Sequence, residues 1–187
     1  METGTSQAAA IKQGPSMWEE GRAMNPTELQ RLYLDDVWRY VSSRLDRPED
    51  AEDVTMEVMA AAFTRLRDDT VVAEPRLWLL TIAKNKVADA LRRRYRRRET
   101  PLMDSEQARG TDHLRRFAVN SILDKLPDDQ SQALVLKYVN GLSTDEVGSV
   151  LKRSPEAANS LLQRARQSFR ELGAGTFDLT DREDEDQ

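Results

Sequence analysis

Residues 140–173 read NGLSTDEVGSVLKRSPEAANSLLQRARQSFRELG, and this stretch decides the fold. Asn140-Gly141 closes a preceding helix, because glycine takes the left-handed backbone conformation at little steric cost. Ser143-Thr-Asp-Glu146 forms a capping box, in which the serine oxygen accepts from the N3 amide and the glutamate reaches back. The spacing predicts a short helix from Thr144 to about Leu151, with Val147, Val150 and Leu151 apolar. After a turn at Lys152-Arg153, Ser154 caps a longer helix and Pro155 fits its first turn. That helix runs through Ala158, Leu161, Leu162, Ala165, Phe169 and Leu172 to Gly173. Short helix, tight turn and longer helix is the helix-turn-helix arrangement, whose second helix enters a major groove by its N-terminal part. A plain αα-hairpin would show the same caps. Lys152, Arg153, Ser154, Glu156, Asn159, Ser160, Gln163, Arg164 and Arg166 separate the two readings, since they include side chains able to reach phosphates and base edges.

Working outward, the chain stays helical. Residues 126–127 (Leu-Pro) end a helix that begins near Leu114 and carries Phe117, Ile122 and Leu123. The next helix, about Asp128 to Val139, has Ala133, Leu134, Leu136 and Tyr138 as its apolar side. Upstream, residues 99–113 contain Pro101 and Gly110 with little apolar content and read as a linker, with the lone His113 as a solvated linker residue. A first helical unit precedes it. Its first stripe is Leu29, Leu32, Tyr33, Val37, Tyr40, Val41 and Leu45, opened by Asn25-Pro26 and broken at Asp46-Arg47-Pro48. Its second is Ala51, Val54, Val58, Ala61, Ala62 and Leu66, with carboxylates crowding the first turns where the helix dipole favours them. A loop from Asp68 to Pro75 leads to a third helix, about Arg76 to Arg97, with Leu77, Trp78, Ile82, Val87 and Leu91 apolar. No strand-like alternation of useful length occurs. The expected fold is all-α: two small helical domains, 26–98 and 114–173, joined by a flexible linker at 99–113. A disordered extension, 1–25, and an acidic tail, 174–187, flank them.

Composition sets the limits. Apolar residues make up 39% and charged residues 33% of 187 residues, which suits thin-cored helical units better than one thick core. There is no cysteine, so disulfides, cysteine-ligated zinc and thiol catalysis are excluded. No segment approaches the roughly 20 apolar residues that span a bilayer, and the N-terminus lacks a secretory core, so a soluble cytoplasmic protein is expected. The formal net charge of −5 is misleading, because it is unevenly placed. The tail from Asp178 carries six carboxylates against Arg182, and without it acidic and basic residues balance at 27 each. The remainder is segregated: Glu49–Glu57 is acidic and Arg92–Arg98 holds six arginines in seven residues. Segregated charge points to two kinds of partner.

Several blocks then resemble a known family. Asp50-Ala-Glu-Asp-Val-Thr-Met-Glu-Val-Met59, Arg76-Leu-Trp-Leu-Leu-Thr-Ile-Ala-Lys-Asn85 and Asp89-Ala-Leu-Arg-Arg-Arg94 resemble region 2 of the sigma-70 family. Leu126-Pro-Asp-Asp-Gln130, Leu136-Lys-Tyr-Val-Asn-Gly-Leu-Ser143, Glu146-Val147 and Arg164-Ala-Arg166 resemble its region 4. Keeping only these two regions is the pattern of the extracytoplasmic-function (ECF) group. The resemblance implies a non-enzymatic factor, without cofactor or metal, that binds core RNA polymerase, recognises promoter DNA and promotes its opening.

It also implies a division of labour. Asp50, Asp53 and Glu57 would dock on the clamp helices of the polymerase β′ subunit. The loop Asp68–Glu74 and the third-helix residues Arg76, Trp78, Thr81, Lys84 and Asn85 would meet the minus-ten element, where holding a flipped base requires polar edges and cationic surroundings, although Trp78 suits a core anchor better. Lys84, Lys86 and the Arg92–Arg98 run, Arg92 and Arg93 first among it, suit phosphate contacts. The helix from Pro155 would enter the major groove at the minus-thirty-five element, and region 4 would also touch the polymerase β flap. An anti-sigma factor is the further partner implied, since ECF factors are commonly held inactive by one. The chain departs from the common pattern at Met56, at the Lys152-Arg153 turn, and at Leu161, where a basic residue is frequent. Two other readings make different demands. A stand-alone helix-turn-helix regulator would bind a palindromic operator unaided and has no need of the first helical unit. A helical enzyme would need a Glu-x-x-His pair, a phosphate-binding glycine loop or a nucleophile constellation, and none accompanies the carboxylates.

Overall fold

A computed structural model of the chain describes residues 25–66, 72–97 and 118–174, with side chains of the third helix described as far as Arg94. Residues 1–24, 67–71, 98–117 and 175–187, which hold most of the expected extension, part of the expected loop from Asp68, the linker with Phe117 and the acidic tail, lie outside the described residues.

The first unit is a three-helix cluster. Helix α1 (Pro26–Ser42) starts where Asn25 Oδ1 accepts from the Thr27 amide at 2.9 Å, with proline in the first turn. Leu29, Tyr33, Val37, Tyr40 and Val41 are its buried stripe, and Leu45 is buried just past its end. Helix α2 (Pro48–Arg65) places Glu49 and Asp50 in its first turn and buries Ala51, Val54, Thr55, Val58, Met59 and Ala62. Helix α3 (Pro75–Arg97) buries Leu77, Leu79, Leu80, Ile82, Ala83 and Val87. Each of the three packs on the other two. α3 is buried on more of its circumference than one apolar stripe predicts, because a second unit covers another of its sides.

That second unit contains α4 (described over 118–123), α5 (Asp128–Leu134), α6 (Thr144–Leu151) and α7 (Pro155–Gly173). The helix expected to continue to Val139 changes pitch instead. Residues Val135–Val139 form a π-helical turn, closed by the Asn140 amide donating to the Val135 carbonyl at 3.1 Å. The wider turn rotates the following side chains. Val135 becomes buried, and Tyr138, expected on the apolar side, is 61% exposed. Leu172 likewise sits at an exposed helix end. Gly141 has φ +69°, the left-handed residue expected there, and delivers a buried Leu142 ahead of the Ser143 cap.

The two units do not stand apart. One cluster of buried apolar side chains runs from Leu29 through Leu79 and Leu80 to Leu136, Val147, Leu161 and Ala165. α3 packs on α6, and α1 packs on the π turn.

Candidate docking and nucleic-acid interfaces

The helix-turn-helix is built by its caps and by one close approach. Ser143 and Glu146 form both arms of the capping box, with Ser143 N donating to Glu146 Oε2 at 2.6 Å and Glu146 N to Ser143 Oγ at 3.2 Å. Lys152 ends α6 in the left-handed conformation, φ +55°, a conformation more often supplied by glycine or asparagine. Ser154 Oγ accepts from the Ala157 amide at 3.3 Å and starts α7 behind Pro155. The turn is tight at Gly148: a Cβ there would lie 2.9 Å from the Arg153 carbonyl oxygen and 3.4 Å from the Ala158 Cβ.

α7 buries Ala158, Leu161, Leu162 and Ala165, so the opposite face is fixed. Glu156, Asn159, Ser160, Gln163, Arg164 and Arg166 are all exposed. The Arg164 and Arg166 Nε atoms donate back to the Ser160 and Leu162 carbonyls, which lays both guanidinium groups along the helix surface. The Glu156 carboxyl is held below the usual carboxylate range by backbone hydrogen bonding and by Ser154, as an acidic group in a first helical turn should be. Lys152, Arg153 and Ser154 are exposed at the turn, with Arg153 Nη2 on Asp129 at 2.9 Å. All nine expected residues of this set therefore share the turn and one exposed face.

The α3 residues divide into three groups. Thr81, Asn85, Arg92 and Trp78 fall at helical spacing on one side; Asn85 and Arg92 are exposed, and Trp78 is half-buried against the core. Thr81 Oγ1 donates back to the Leu77 carbonyl at 2.9 Å. Lys86 and Arg93 turn toward α2, at 3.1 and 3.7 Å from the Glu57 carboxylate. Arg76 and Lys84 turn toward the second unit. Arg76 forms a bidentate pair with Asp36, at 2.8 and 3.0 Å, and donates to the Asn140 carbonyl at 2.6 Å. Hydrogen bonding to Asp36 raises the Arg76 pKa above its ordinary value. Burial, and then the charge of Lys152, lowers that of Lys84.

On α2, Asp53 is exposed and Asp50 half-buried, whereas Glu57 is occupied by Lys86 and Arg93. Beside this face lies an open groove of about 890 Å³ between α1 and α2, lined by Thr27, Leu34, Trp38, Glu52 and Met56 among others. Met56 is 62% exposed. The sequence reading missed the groove because Leu34 and Trp38 lie off the apolar stripe of α1. Two apolar side chains off-stripe on an otherwise amphipathic helix were the available signal. Among the described residues, no helix is long and apolar enough to cross a membrane.

Comparison with known proteins settles the lineage. Residues 29–97 match Sigma-70 region 2, and residues 116–169 match Sigma-70 region 4. The chain is 32% identical over 142 residues to the ECF RNA polymerase sigma factor SigC of Mycobacterium tuberculosis, covering 72% of this chain and 75% of that one. The chain belongs to the ECF group of sigma-70 factors.

Other members of the group are longer. SigJ of M. tuberculosis is 36% identical over 136 residues, which are 64% of this chain and 42% of SigJ. BldN of Streptomyces coelicolor is 28% identical over 150 residues, 75% of this chain and 57% of BldN. The chain thus spans about half the length of these two sigma factors. Among solved structures it is similar to CnrH in complex with the cytosolic domain of CnrY, at a TM-score of 0.60 and 26% identity over 79% of this chain and 88% of CnrH. The region 2 match falls on α1–α3 and the region 4 match on α4–α7, so each helical unit carries one region.

Proposed function

We propose that this sigma factor binds core RNA polymerase, recognises minus-ten and minus-thirty-five promoter elements and promotes DNA opening, without catalysis of its own and without a cofactor. The observation that carries the reading is that regions 2 and 4 each fold as a helical unit with its own exposed polar face. The acidic face of α2, with Asp53 foremost, meets the β′ clamp helices, and the adjoining α1–α2 groove supplies apolar area to the same contact. On α3, Asn85, Thr81 and Trp78 meet the minus-ten element, and Lys86, Arg92 and Arg93 attract its phosphates once they exchange their carboxylate partners for DNA. The exposed face of α7 reads the minus-thirty-five major groove, with Gln163 and Asn159 at base edges and Arg164 and Arg166 on phosphates or guanines. The β flap contacts region 4. The protein acts in the cytoplasm, and an anti-sigma factor is a further partner.

The deciding experiment mixes core polymerase with this protein on promoter fragments. Specific run-off transcripts and a stable polymerase complex are expected. If neither appears, the assignment falls. Tight operator binding by the isolated protein as a dimer would instead mark a stand-alone regulator.

A further inference from the structure

The groove between α1 and α2 leaves open what a folded domain ordinarily covers. Leu34 and Trp38 of α1 and Met56 of α2 line it, and Met56 is the most exposed large apolar side chain among the described residues. Thr55, 4% exposed, lies on the same wall with its Oγ1 buried and without a hydrogen-bond partner. Charges of both signs, Arg31, Asp35 and Glu52, complete the lining. Asp35 is held by Arg39 at 2.8 Å, whereas Arg31 and Glu52 have no ion pair among the described residues. Open apolar area, an unsatisfied hydroxyl and two uncommitted charges together suit a short amphipathic peptide.

We propose that residues Met17–Met24 of this same chain fold back into the groove in the free protein and mask it from core polymerase. The segment reads Met17-Trp-Glu-Glu-Gly-Arg-Ala-Met24 and runs directly into α1, whose second residue, Thr27, already lines the groove. Met17 and Trp18 are the only adjacent pair of large apolar residues ahead of α1. Reach suits them. From Thr27 to Trp38 the groove follows roughly 17 Å of helix at about 1.5 Å per residue. Trp18 stands nine residues before Thr27, and an extended return of that length covers up to about 30 Å at roughly 3.3 Å per residue. Trp18 can therefore lie against Leu34 or Trp38 with chain left over for the reversal.

The chemistry of segment and groove is complementary. Met17, Trp18 and Met24 bring apolar area to Leu34, Trp38 and Met56, where thioether–indole contact is favourable. Glu19 and Glu20 bring carboxylates to Arg31, and Arg22 brings a cation to Glu52. A returning backbone carbonyl gives the Thr55 hydroxyl its missing acceptor. The segment is too polar to bury its own apolar groups, so the groove is their nearest cover. Attachment to α1 holds it there at an effective concentration on the order of millimolar. Eight residues bury little area, which leaves the seat weak enough for polymerase to take. The masking rests on the assignment of this face to the β′ clamp helices; the seating does not.

The absence of cysteine allows a single spin label on the full chain. Ser16→Cys carries it beside Met17, and the NMR methyl signals of Met56 and Leu34 should broaden while that of Leu172, at the exposed end of α7, stays sharp. Met17→Ser with Trp18→Ser should sharpen Met56 and Leu34 again. The same pair should raise affinity for core polymerase about fivefold, because apparent affinity scales with the unmasked fraction. Met56→Glu, at a position exposed enough to tolerate it, should sharpen Leu34 from the groove side. Equal broadening with and without Met17 and Trp18 would overturn the seat. So would broadening of Met56 in isotope-labelled chains mixed with separate spin-labelled ones, which would put a second copy in the groove. Release of the segment with no gain in polymerase affinity would overturn the masking. The methyl signals involve no polymerase. An error in the clamp-helix assignment shows up separately, as polymerase affinity insensitive to Asp53→Lys.

Discussion

At Gly148 the absence of a side chain lets α6 and α7 approach. Gly148→Ala would put a methyl group 2.9 Å from the backbone carbonyl of Arg153, which cannot rotate away. We expect a loss of about 1–3 kcal/mol in urea unfolding, the usual size of an overpacking effect. Ser154 acts through a different mechanism. Ser154→Ala removes the acceptor for the Ala157 amide and should cost about 1 kcal/mol. It should also let the depressed pKa of the nearby Glu156 rise toward its ordinary value, read by NMR titration. The sign follows from the depression: the charged carboxylate favours the folded state above its unfolded pKa, and that contribution fades as pH falls through the folded one. Ser154 was legible because a cap is a local pattern. Gly148 was not, because its role depends on a carbonyl five residues away that only the folded turn brings close.

At the scale of the element, each helix has two sides with different duties. α2 buries Val54, Val58 and Met59 and leaves Asp53 in solvent. Asp53→Lys should therefore weaken polymerase binding, measured by fluorescence anisotropy, while the unfolding midpoint stays put. Glu57 is a poorer probe than the sequence implied, because it also holds Lys86 and Arg93 of α3. On α7, Arg166 is exposed at the edge of the polar face, one helical turn past the buried Leu162. Arg166→Ala in the polymerase complex should weaken promoter binding and reduce the salt slope by about one, the signature of one lost phosphate contact. An unchanged slope would move Arg166 off the phosphate path. Helical periodicity made most of these faces readable. It failed at Tyr138, where the π turn breaks the 3.6-residue repeat that the reading assumed.

At the scale of the whole molecule, the packing of the second unit on α3 brings Lys152 near enough to Lys84 for their charges to oppose each other. Lys84→Gln should remove the Lys84–Lys152 repulsion and raise the midpoint of urea unfolding slightly. The pH dependence has the matching sign. A lysine whose pKa is lowered by burial in the fold opposes folding while charged, so stability should rise as pH climbs through the lowered value, and less so in Lys84→Gln. Lys152 and Asp128 are the charged groups acting on Lys84 and share in this titration. Urea unfolding across an alkaline pH series checks it.

The sequence by itself determined the helices, the caps, the exposed face of α7 and the family, because these depend on neighbours within about four residues or on blocks of local pattern. Tertiary structure alone decided that the two units close on one another, that Arg76 and Arg44 are engaged across the seam, and that Leu34, Trp38 and Met56 line a groove. Asp36 and Asn140 lie 104 residues apart, and Arg44 and Asp128 lie 84 apart. No periodicity in the chain connects such positions. Their pairing follows from how two amphipathic clusters bury their remaining surface, which is a property of the packed molecule.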